Sequence, residues 1–165
     1  MADAFIAGVE PGGLTNLQEI RILLCYMLNT VGQPVPRDAV TEIIIGGGMA
    51  YTFLKSQGAT VGNSLVDDSK IDYCADMLKK AAEKGVKIML PVDNVAAEHF
   101  PDPIDAPIET RVFDAMAIDE GWEGLDIGPK TAEMYADAIK SAKTVVWNGP
   151  MGVSENPCLA NGTIA

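Results

Sequence analysis

Three apolar runs in this chain end abruptly in short turns whose residues could contact a ligand. The three junctions are Val145–Trp147 into Asn148–Val153, Ile43–Ile45 into Gly46–Gly48, and Ile88–Leu90 into Pro91–Asp93. Short apolar runs of this kind are typical of buried parallel strands, and ligands of parallel sheets bind beyond the carboxyl ends of the strands. Glycine in such a turn lets a ligand approach the backbone closely. We therefore expect the three turns to border one crevice.

The glycine triplet Gly46–Gly48 leaves two interpretations open. A glycine turn that leads into a helix can offer backbone N–H groups to an anion. The triplet, however, fits neither GxGxxG nor the phosphate loop that ends in GKS or GKT. Taken alone, the triplet favours a tight strand-to-helix turn over a nucleotide contact.

The other reactive residue types give little sign of a catalytic or metal site. His99, the only histidine, lies in a polar, proline-rich stretch and is interpreted as a solvated loop residue. Asp93 and Asp126 are single carboxylates at strand or turn ends, where a cap or a solvated side chain is the usual role. The three cysteines, Cys25, Cys74 and Cys158, form no CxxC or Cys/His spacing, which argues against a disulfide framework or a zinc site and fits a reducing cytoplasm.

Composition predicts one folded domain and excludes several classes of partner. The chain has 165 residues and 48% hydrophobic content, enough for one core. Its formal net charge of -11 argues against binding to nucleic acid or to an anionic membrane, because both need clustered positive charge. No apolar run approaches the ~20 residues that span a bilayer, and Met1–Gly13 lacks the basic start of a signal peptide.

The elements that position these turns are predicted from periodicity. Residues 1–13 are interpreted as a flexible lead-in, and residues 14–42 as a helical segment. Its first helix has Thr15 and Gln18 as a capping box, apolar residues at helical spacing, and Gly32 as its end. A second short helix is predicted over Arg37–Glu42.

Strands and helices alternate from Ile43 onward, which indicates βα units. Helices are predicted over residues 49–57, 67–84 and 130–141, and strands over 43–45, 86–90 and 144–147. Residues 94–123 are rich in proline and aspartate, with a short strand expected near Thr110–Phe113. The predicted fold is an α/β domain over residues 43–165: an incomplete Rossmann-like, three-layer parallel sheet with helices on both faces, preceded by the N-terminal helical segment.

Five segments resemble, in the same order, part of the C-terminal nucleotide-binding lobe of phosphoglycerate kinase. They are IIIGGGMAYTFLK at Ile43–Lys55, VGNSL at Val61–Leu65, KGVKIMLPVD at Lys84–Asp93, GWEGLDIGPKT at Gly121–Thr131 and TVVWNGPMGVSENP at Thr144–Pro157. The resemblance covers about Thr41–Ala165. Residues 14–42 weakly resemble the first two helices of a winged-helix domain instead.

The resemblance implies a set of nucleotide-binding residues. The adenine pocket would use backbone and aliphatic groups of Gly47, Gly48, Leu65, Gly124 and Leu125, the last two in a GLDIGP loop. In the turn after the last strand, Asn148 would lie near the phosphates, Pro150, Gly152 and Val153 along the nucleotide, and Glu155 at the ribose hydroxyls. Ser154 stands where the family usually has an aromatic residue.

Each of these residues also has a structural interpretation. Leu65 and Leu125 could be core leucines, and Asn148 and Gly149 could serve only as turn residues. Trp147 is interpreted as a core residue rather than as a stacking surface for a ligand.

The family reaction is phosphoryl transfer between 1,3-bisphosphoglycerate and ADP, with Mg2+ accompanying ADP or ATP. The N-terminal lobe and the GGAK, GGGD and TGGGAS segments of the family are absent from this sequence, so no residue is assigned a catalytic or metal-binding role. The resemblance therefore implies, for this chain, adenine-nucleotide binding at most.

Two alternatives belong to other functional classes. The chain could be a helical interaction module with the α/β part as its scaffold, or an inactive fragment produced by fusion or truncation. We also expect self-association through an exposed sheet edge or the N-terminal helix, because unpaired edges favour association.

Overall fold

The structure is a computed structural model that describes residues 3–7 and 40–165. Its strands are β1 (Asp3–Ala7), β2 (Val40–Ile45), β3 (Thr60–Val61), β4 (Lys87–Met89), β5 (Asp93–Ala97), β6 (Arg111–Asp114), β7 (Ala117–Ile118), β8 (Glu123–Ile127) and β9 (Thr144–Trp147). Its helices are α1 (Gly48–Ser56), α2 (Ile71–Glu83), α3 (Pro129–Ser141) and the single turn α4 (Asn161–Ile164), with a short 3-10 turn at Asp68–Lys70.

The main sheet is parallel and has the strand order β4-β2-β1-β9. Its strand β2 ends in three consecutive isoleucines, whose branched side chains suit a sheet that is covered on both faces. The carboxyl ends of β2 and β9 lead into the two glycine-containing turns. The sheet therefore brings both turns to the same edge.

Helices cover both faces of the main sheet. On one face, Ile45 packs with residues of α1 and with Cys74 of α2, which is fully buried. On the other face, Ile44 and Met89 pack against Tyr135 and Ala138 of α3. Successive residues of a strand point to opposite faces, so neighbouring isoleucines of β2 contribute to different cores. The predicted α/β class, with a parallel sheet between helical layers, is confirmed.

Two smaller sheets lie beside the main one. Strands β6, β5 and β8 form an antiparallel sheet, and β3 pairs with β7. A third core, which includes Tyr51, Leu54, Phe113 and Ile118, packs α1 against these strands. This arrangement places β8 next to the start of α1.

The start of α3 is fixed by a buried carboxylate. Asp93 is 3% exposed and accepts hydrogen bonds from the backbone N–H groups of Lys130 at 3.1 Å and Thr131 at 2.8 Å. The Thr131 hydroxyl accepts from the N–H groups of Val92 and Asp93, both at 3.0 Å. A carboxylate at a helix N-terminus satisfies otherwise unpaired donors and complements the helix dipole. Of the two roles that the sequence left open for Asp93, a cap or a solvated side chain, the structure shows the cap.

The structure differs from the sequence predictions at three places. Asp3–Ala7, in the predicted lead-in, form a strand that pairs on both sides. Val40–Glu42, predicted as helical, belong to β2, because the branched side chains of Val40 and Thr41 continue its strand pattern. The predicted GLDIGP loop is largely strand β8, which pairs with β5. The helix predicted after Leu14 and the winged-helix resemblance lie outside the described residues.

Candidate functional site

A cavity of about 180 Å3 opens where the β2–α1 turn, strand β8 and the turn after β9 meet. Ten residues line it: Gly47, Gly48, Tyr51, Leu65, Phe100, Glu123, Gly124, Leu125, Gly152 and Val153. The cavity lies beyond the carboxyl ends of parallel strands, where this class of fold binds ligands. Four glycines among the lining residues leave much of its wall as bare backbone.

The first wall is the turn between β2 and α1. Gly47 has φ 62°, a left-handed conformation that favours glycine, and it immediately precedes the first residue of α1. At Gly48 a Cβ atom would come within 3.2 Å of Leu65 Cδ2, so a larger side chain there would project toward the cavity. Glycine at position 48 therefore leaves the cavity open on this side.

The second wall is strand β8, which contacts the buried Tyr51 of α1. The Tyr51 hydroxyl donates to Asn94 Oδ1 at 3.4 Å, and the N–H of Gly124 donates to Ser64 Oγ at 2.9 Å. Burial, together with the charges of Asp126 and Glu123, raises the pKa of Tyr51, so the phenol stays neutral. The amide nitrogen of Asn94 is buried without a partner among the described residues.

The third wall is the turn that follows β9. The N–H of Val153 donates to the carbonyl of Leu125 at 3.0 Å, which attaches this turn to β8. Beneath Gly152 lies Asp126, which is 1% exposed and accepts from the N–H groups of Ile127 and Gly162, both at 2.8 Å. Burial raises the pKa of Asp126 to about 6, although these two hydrogen bonds act in the opposite direction. Asp126 is therefore a buried cap rather than a solvated carboxylate.

The mouth of the cavity is apolar with one acidic group. Leu65 is 42% exposed and Phe100 is 38% exposed. Glu123, which is half-buried, has its pKa raised by burial, while the nearby His99 acts to lower it. His99 itself is exposed, in agreement with its interpretation as a loop residue. The mouth therefore offers apolar surface to a flat ring and one carboxylate to hydrogen-bond donors.

Seven of the ten nucleotide-binding residues implied by the resemblance line this cavity: Gly47, Gly48, Leu65, Gly124, Leu125, Gly152 and Val153. Asn148, Pro150 and Glu155 do not line it, although they belong to the same chain segment as its third wall. The interpretation of Leu65 as a core leucine is wrong, because its side chain is exposed. Trp147, interpreted as core, is 45% exposed; it lies on β9, which is an edge strand of the main sheet within the described residues.

Sequence reasoning missed three lining residues: Tyr51, Phe100 and Glu123. Tyr51 follows Gly47 by four residues, so one turn of helix brings its side chain back over the glycine turn. That spacing could have identified it. Phe100 and Glu123 carry no such local signal, because long-range strand pairing brings them to the cavity.

A second cavity of about 250 Å3 lies between α3, β9 and α4. It is lined by apolar residues that include Tyr135, Trp147 and Met151, and by none of the ten implied residues. Its wall has no glycine turn at the end of a strand. The first cavity is therefore the candidate ligand site.

Charged and metal-binding groups are sparse at the candidate site. No lysine or arginine is among its ten lining residues, and Glu123 is the one carboxylate. Within residues 3–7 and 40–165, no cluster of three or more histidine, cysteine, aspartate or glutamate side chains could hold a metal ion.

Cys74 and Cys158 are free, the first buried and the second exposed, and Cys25 lies outside the described residues. Of the helices that the structure describes, none is long and apolar enough to cross a membrane.

Comparison with known proteins gives a consistent result. A family model described as "Phosphoglycerate kinase" matches residues 36–165. A phosphoglycerate kinase of Clostridium botulinum (strain Langeland) is 60% identical over 127 residues, and one of Clostridium tetani is 56% identical over 127 residues. In both cases the match covers 77% of this chain and 31% of the relative, so the chain spans about a third of the length of these curated relatives.

A solved structure shows the same similarity in shape. The phosphoglycerate kinase from Coxiella burnetii matches with a TM-score of 0.78 and 32% sequence identity. The match covers 99% of this chain and 37% of that one.

Proposed function

The chain belongs to the phosphoglycerate kinase family, and we propose that it binds the adenine end of ADP or ATP in the cavity between the β2–α1 turn, β8 and the turn after β9. The family has a glycolytic phosphoryl-transfer role. A cytoplasmic location is part of the same proposal, because the three cysteines form no disulfide pattern in the sequence.

One observation carries this proposal. Seven residues from four separate parts of the sequence, each implied by the family resemblance, line a single cavity. Nothing in the local sequence brings together residues 47–48, 65, 124–125 and 152–153. Their convergence supports a role in binding one ligand.

The size and surface of the cavity favour the base of a nucleotide. A volume of about 180 Å3 is below the ~300 Å3 at which drug-sized ligand pockets begin, so it suits a ring system better than a whole nucleotide. Glycine backbone and the side chains of Leu65 and Val153 offer flat, apolar contact to a purine. Glu123 can accept a hydrogen bond from an amino group or a ribose hydroxyl.

Catalysis is not part of the proposal for this chain. Phosphoryl transfer depends on cationic groups and Mg2+ that neutralise the transferring phosphoryl group. No lysine or arginine lines the cavity, and Glu123 alone does not make a metal cage. Mg2+ usually keeps several waters and binds through substrate phosphates, so the nucleotide itself would carry it. The family reaction belongs to a protein that also contains the parts of the relatives that this chain does not span.

Calorimetric titration of the full chain with MgADP tests the proposal. We expect saturable binding that is lost in Gly48→Val, because the added side chain points toward Leu65 across the mouth of the cavity. Ala117→Val, at an exposed position away from the cavity, is the matched control and should bind as the parent does. Absence of binding by a chain with a cooperative unfolding transition would overturn the proposal, and so would unchanged binding by Gly48→Val.

A further inference from the structure

Strand β1 lies between the two strands whose turns line the cavity. The sheet order is β4-β2-β1-β9, and within the described residues β2 and β9 are each paired with β1 rather than with each other. We propose that β1 (Asp3–Ala7), which precedes the segment matched by the family model, is the element that holds the two walls of the nucleotide site together. Only the expected effect of β1 on nucleotide binding rests on the proposed function.

The register of β1 is what links it to the site. Ala7 is paired with Ile45, and Gly46 is the next residue of the β2–α1 turn. Ile6 is paired with Trp147, and Asn148 is the next residue of the turn after β9. Both turns therefore begin within one residue of a β1 ladder position. A change in the position of β1 would move both walls of the cavity.

The geometry of a sheet sets the size of this effect. Neighbouring strands lie about 4.8 Å apart, so β2 and β9, with β1 between them, are roughly 10 Å apart. If β1 did not occupy its place, the two strands would expose unpaired backbone groups, and nothing in the sheet would fix their distance. A cavity whose lining includes Gly48 on one side and Val153 on the other tolerates little change in that distance.

Other contacts of the two walls do not replace β1. The Tyr135 hydroxyl donates to the carbonyl of Ile45 at 2.8 Å and so ties the end of β2 to α3. Val153 is tied to β8 through the carbonyl of Leu125. Each of these hydrogen bonds attaches one wall to a third element. The side chain of Met151, in the turn after β9, also packs against Gly46 and Ile44 at the end of β2, but it adds no backbone hydrogen bond between the two strands. The two β1 ladders are the hydrogen-bonded connection.

In sequence, β1 lies outside the segment that the family model matches. The family model begins at residue 36, whereas β1 consists of residues 3–7. Parallel neighbours such as β1 and β2 need a crossover of about a dozen residues or more, and residues 8–39 meet that requirement. Asp3–Ala7 thus supply a sheet position beside the segment that the family model matches.

Proline substitutions in β1 test the proposal in the full chain. Successive N–H groups of a strand point to opposite neighbours, so Phe5→Pro and Ile6→Pro each remove a donor from a different ladder. We expect faster hydrogen exchange in Ile43–Ile45 and Val145–Trp147 and MgADP affinity lower by roughly tenfold or more. Ile6→Val keeps the backbone donor and is the control.

The readouts separate this inference from the proposed function. Unchanged exchange in both strands of both proline variants would overturn the role of β1, whatever the chain binds. If the parent chain binds no MgADP, the proposed function fails, and the exchange data still decide the role of β1. If a proline variant loses protection everywhere, Ile6→Gly is the milder variant. It must raise exchange in β2 and β9 more than in β6, and a uniform rise would contradict the inference.

Discussion

A methyl group on Gly124 would overlap the hydroxyl of Tyr51, because the α1 side chain lies directly against the backbone of β8. Tyr51 is 2% exposed and cannot swing into solvent. We expect Gly124→Ala to lower the free energy of unfolding by about 1–3 kcal/mol, the usual cost of overpacking, and to weaken MgADP binding. Urea unfolding and calorimetry measure the two effects.

Two comparisons make this overpacking prediction specific. In Gly124→Ala/Tyr51→Leu, the shorter side chain leaves room for the methyl group, so the double variant should be less destabilised than the sum of the single variants. Gly48→Ala should cost little stability, because the nearest atom to its Cβ belongs to the exposed Leu65. Additive losses in the double variant would show that the overlap is relieved elsewhere.

The Asp93 carboxylate is predicted to be the most important single polar group for stability. It is buried and accepts hydrogen bonds from two backbone N–H groups at the start of α3 and from the Thr131 hydroxyl, the last at 2.6 Å. Asp93→Ala should lower the free energy of unfolding by about 2–3 kcal/mol, since the donors of the first helical turn lose a charged acceptor. Denaturant titration measures this loss.

Asp105→Ala provides the control for the cap. Asp105 is exposed, and surface substitutions away from such features change stability by about 0.5 kcal/mol or less. Equal destabilisation by the two substitutions would contradict the assigned role of Asp93.

Stability is predicted to fall as the pH rises from about 4 to 6, because of Asp126. Its pKa in the folded chain is about 6, compared with an ordinary value of 3.8. The folded state therefore binds more protons than the unfolded state in this interval, and the free energy of unfolding decreases with pH by up to about 3 kcal/mol. The raised pKa of Glu123 acts with the same sign.

Urea unfolding of the parent chain and of Asp126→Asn across pH 4–7 tests this prediction. The variant lacks the titrating group, so its stability should depend less on pH. Its amide oxygen can still accept a hydrogen bond from one of the two N–H groups. Parallel pH profiles for the two proteins would assign the dependence to other groups.

Local sequence patterns predicted the elements whose periodicity is strong. The isoleucines of β2, the helix before Gly85 and the strand before Asn148 are all found close to the predicted residues. Strands β5 and β8 were missed, because pairs such as Asn94 with Ile127 join residues far apart in sequence within a region rich in proline and aspartate. Strand β1 was missed for the same reason, since its two ladders involve residues 40–45 and 144–147.

The candidate site was predicted unevenly for a related reason. Glycines that follow strands mark turns in the sequence, so Gly47, Gly48 and Gly152 could be chosen by pattern and resemblance together. An aromatic residue on an amphipathic helix has the same pattern whether it lies in a core or beside a ligand, and Tyr51 does both. For Asn148 and Glu155 only the family resemblance implies a role in binding, and that role stays a prediction.

Leu65 and Phe100 are predicted to contribute to nucleotide affinity without contributing to stability. Both are partly exposed at the mouth of the cavity, so truncation leaves little buried void. Leu65→Ala and Phe100→Ala should each weaken MgADP binding by about 1–2 kcal/mol through lost contact with the base, while the melting temperature stays near that of the parent. Calorimetry and thermal unfolding measure the two quantities.

Val112→Ala is the matched control for the mouth residues. Val112 is 51% exposed and does not line the cavity, so its removal should change neither binding nor stability. A loss of affinity equal to that of Leu65→Ala would indicate that the ligand binds elsewhere.

Self-association through β9 is the last prediction. In the described part of the chain, β9 is an edge strand that pairs with β1 alone, and Val145 and Trp147 on it are 37% and 45% exposed, with Ile164 78% exposed nearby. An apolar edge strand favours pairing with a second copy. Light scattering after size-exclusion chromatography should show a mass that rises with protein concentration. Trp147→Lys should reduce this rise. Met116→Lys, also at an exposed apolar position, is the control and should not reduce it. A strictly monomeric parent chain would contradict this prediction. In that case the net charge of -11 would be sufficient to keep the copies apart.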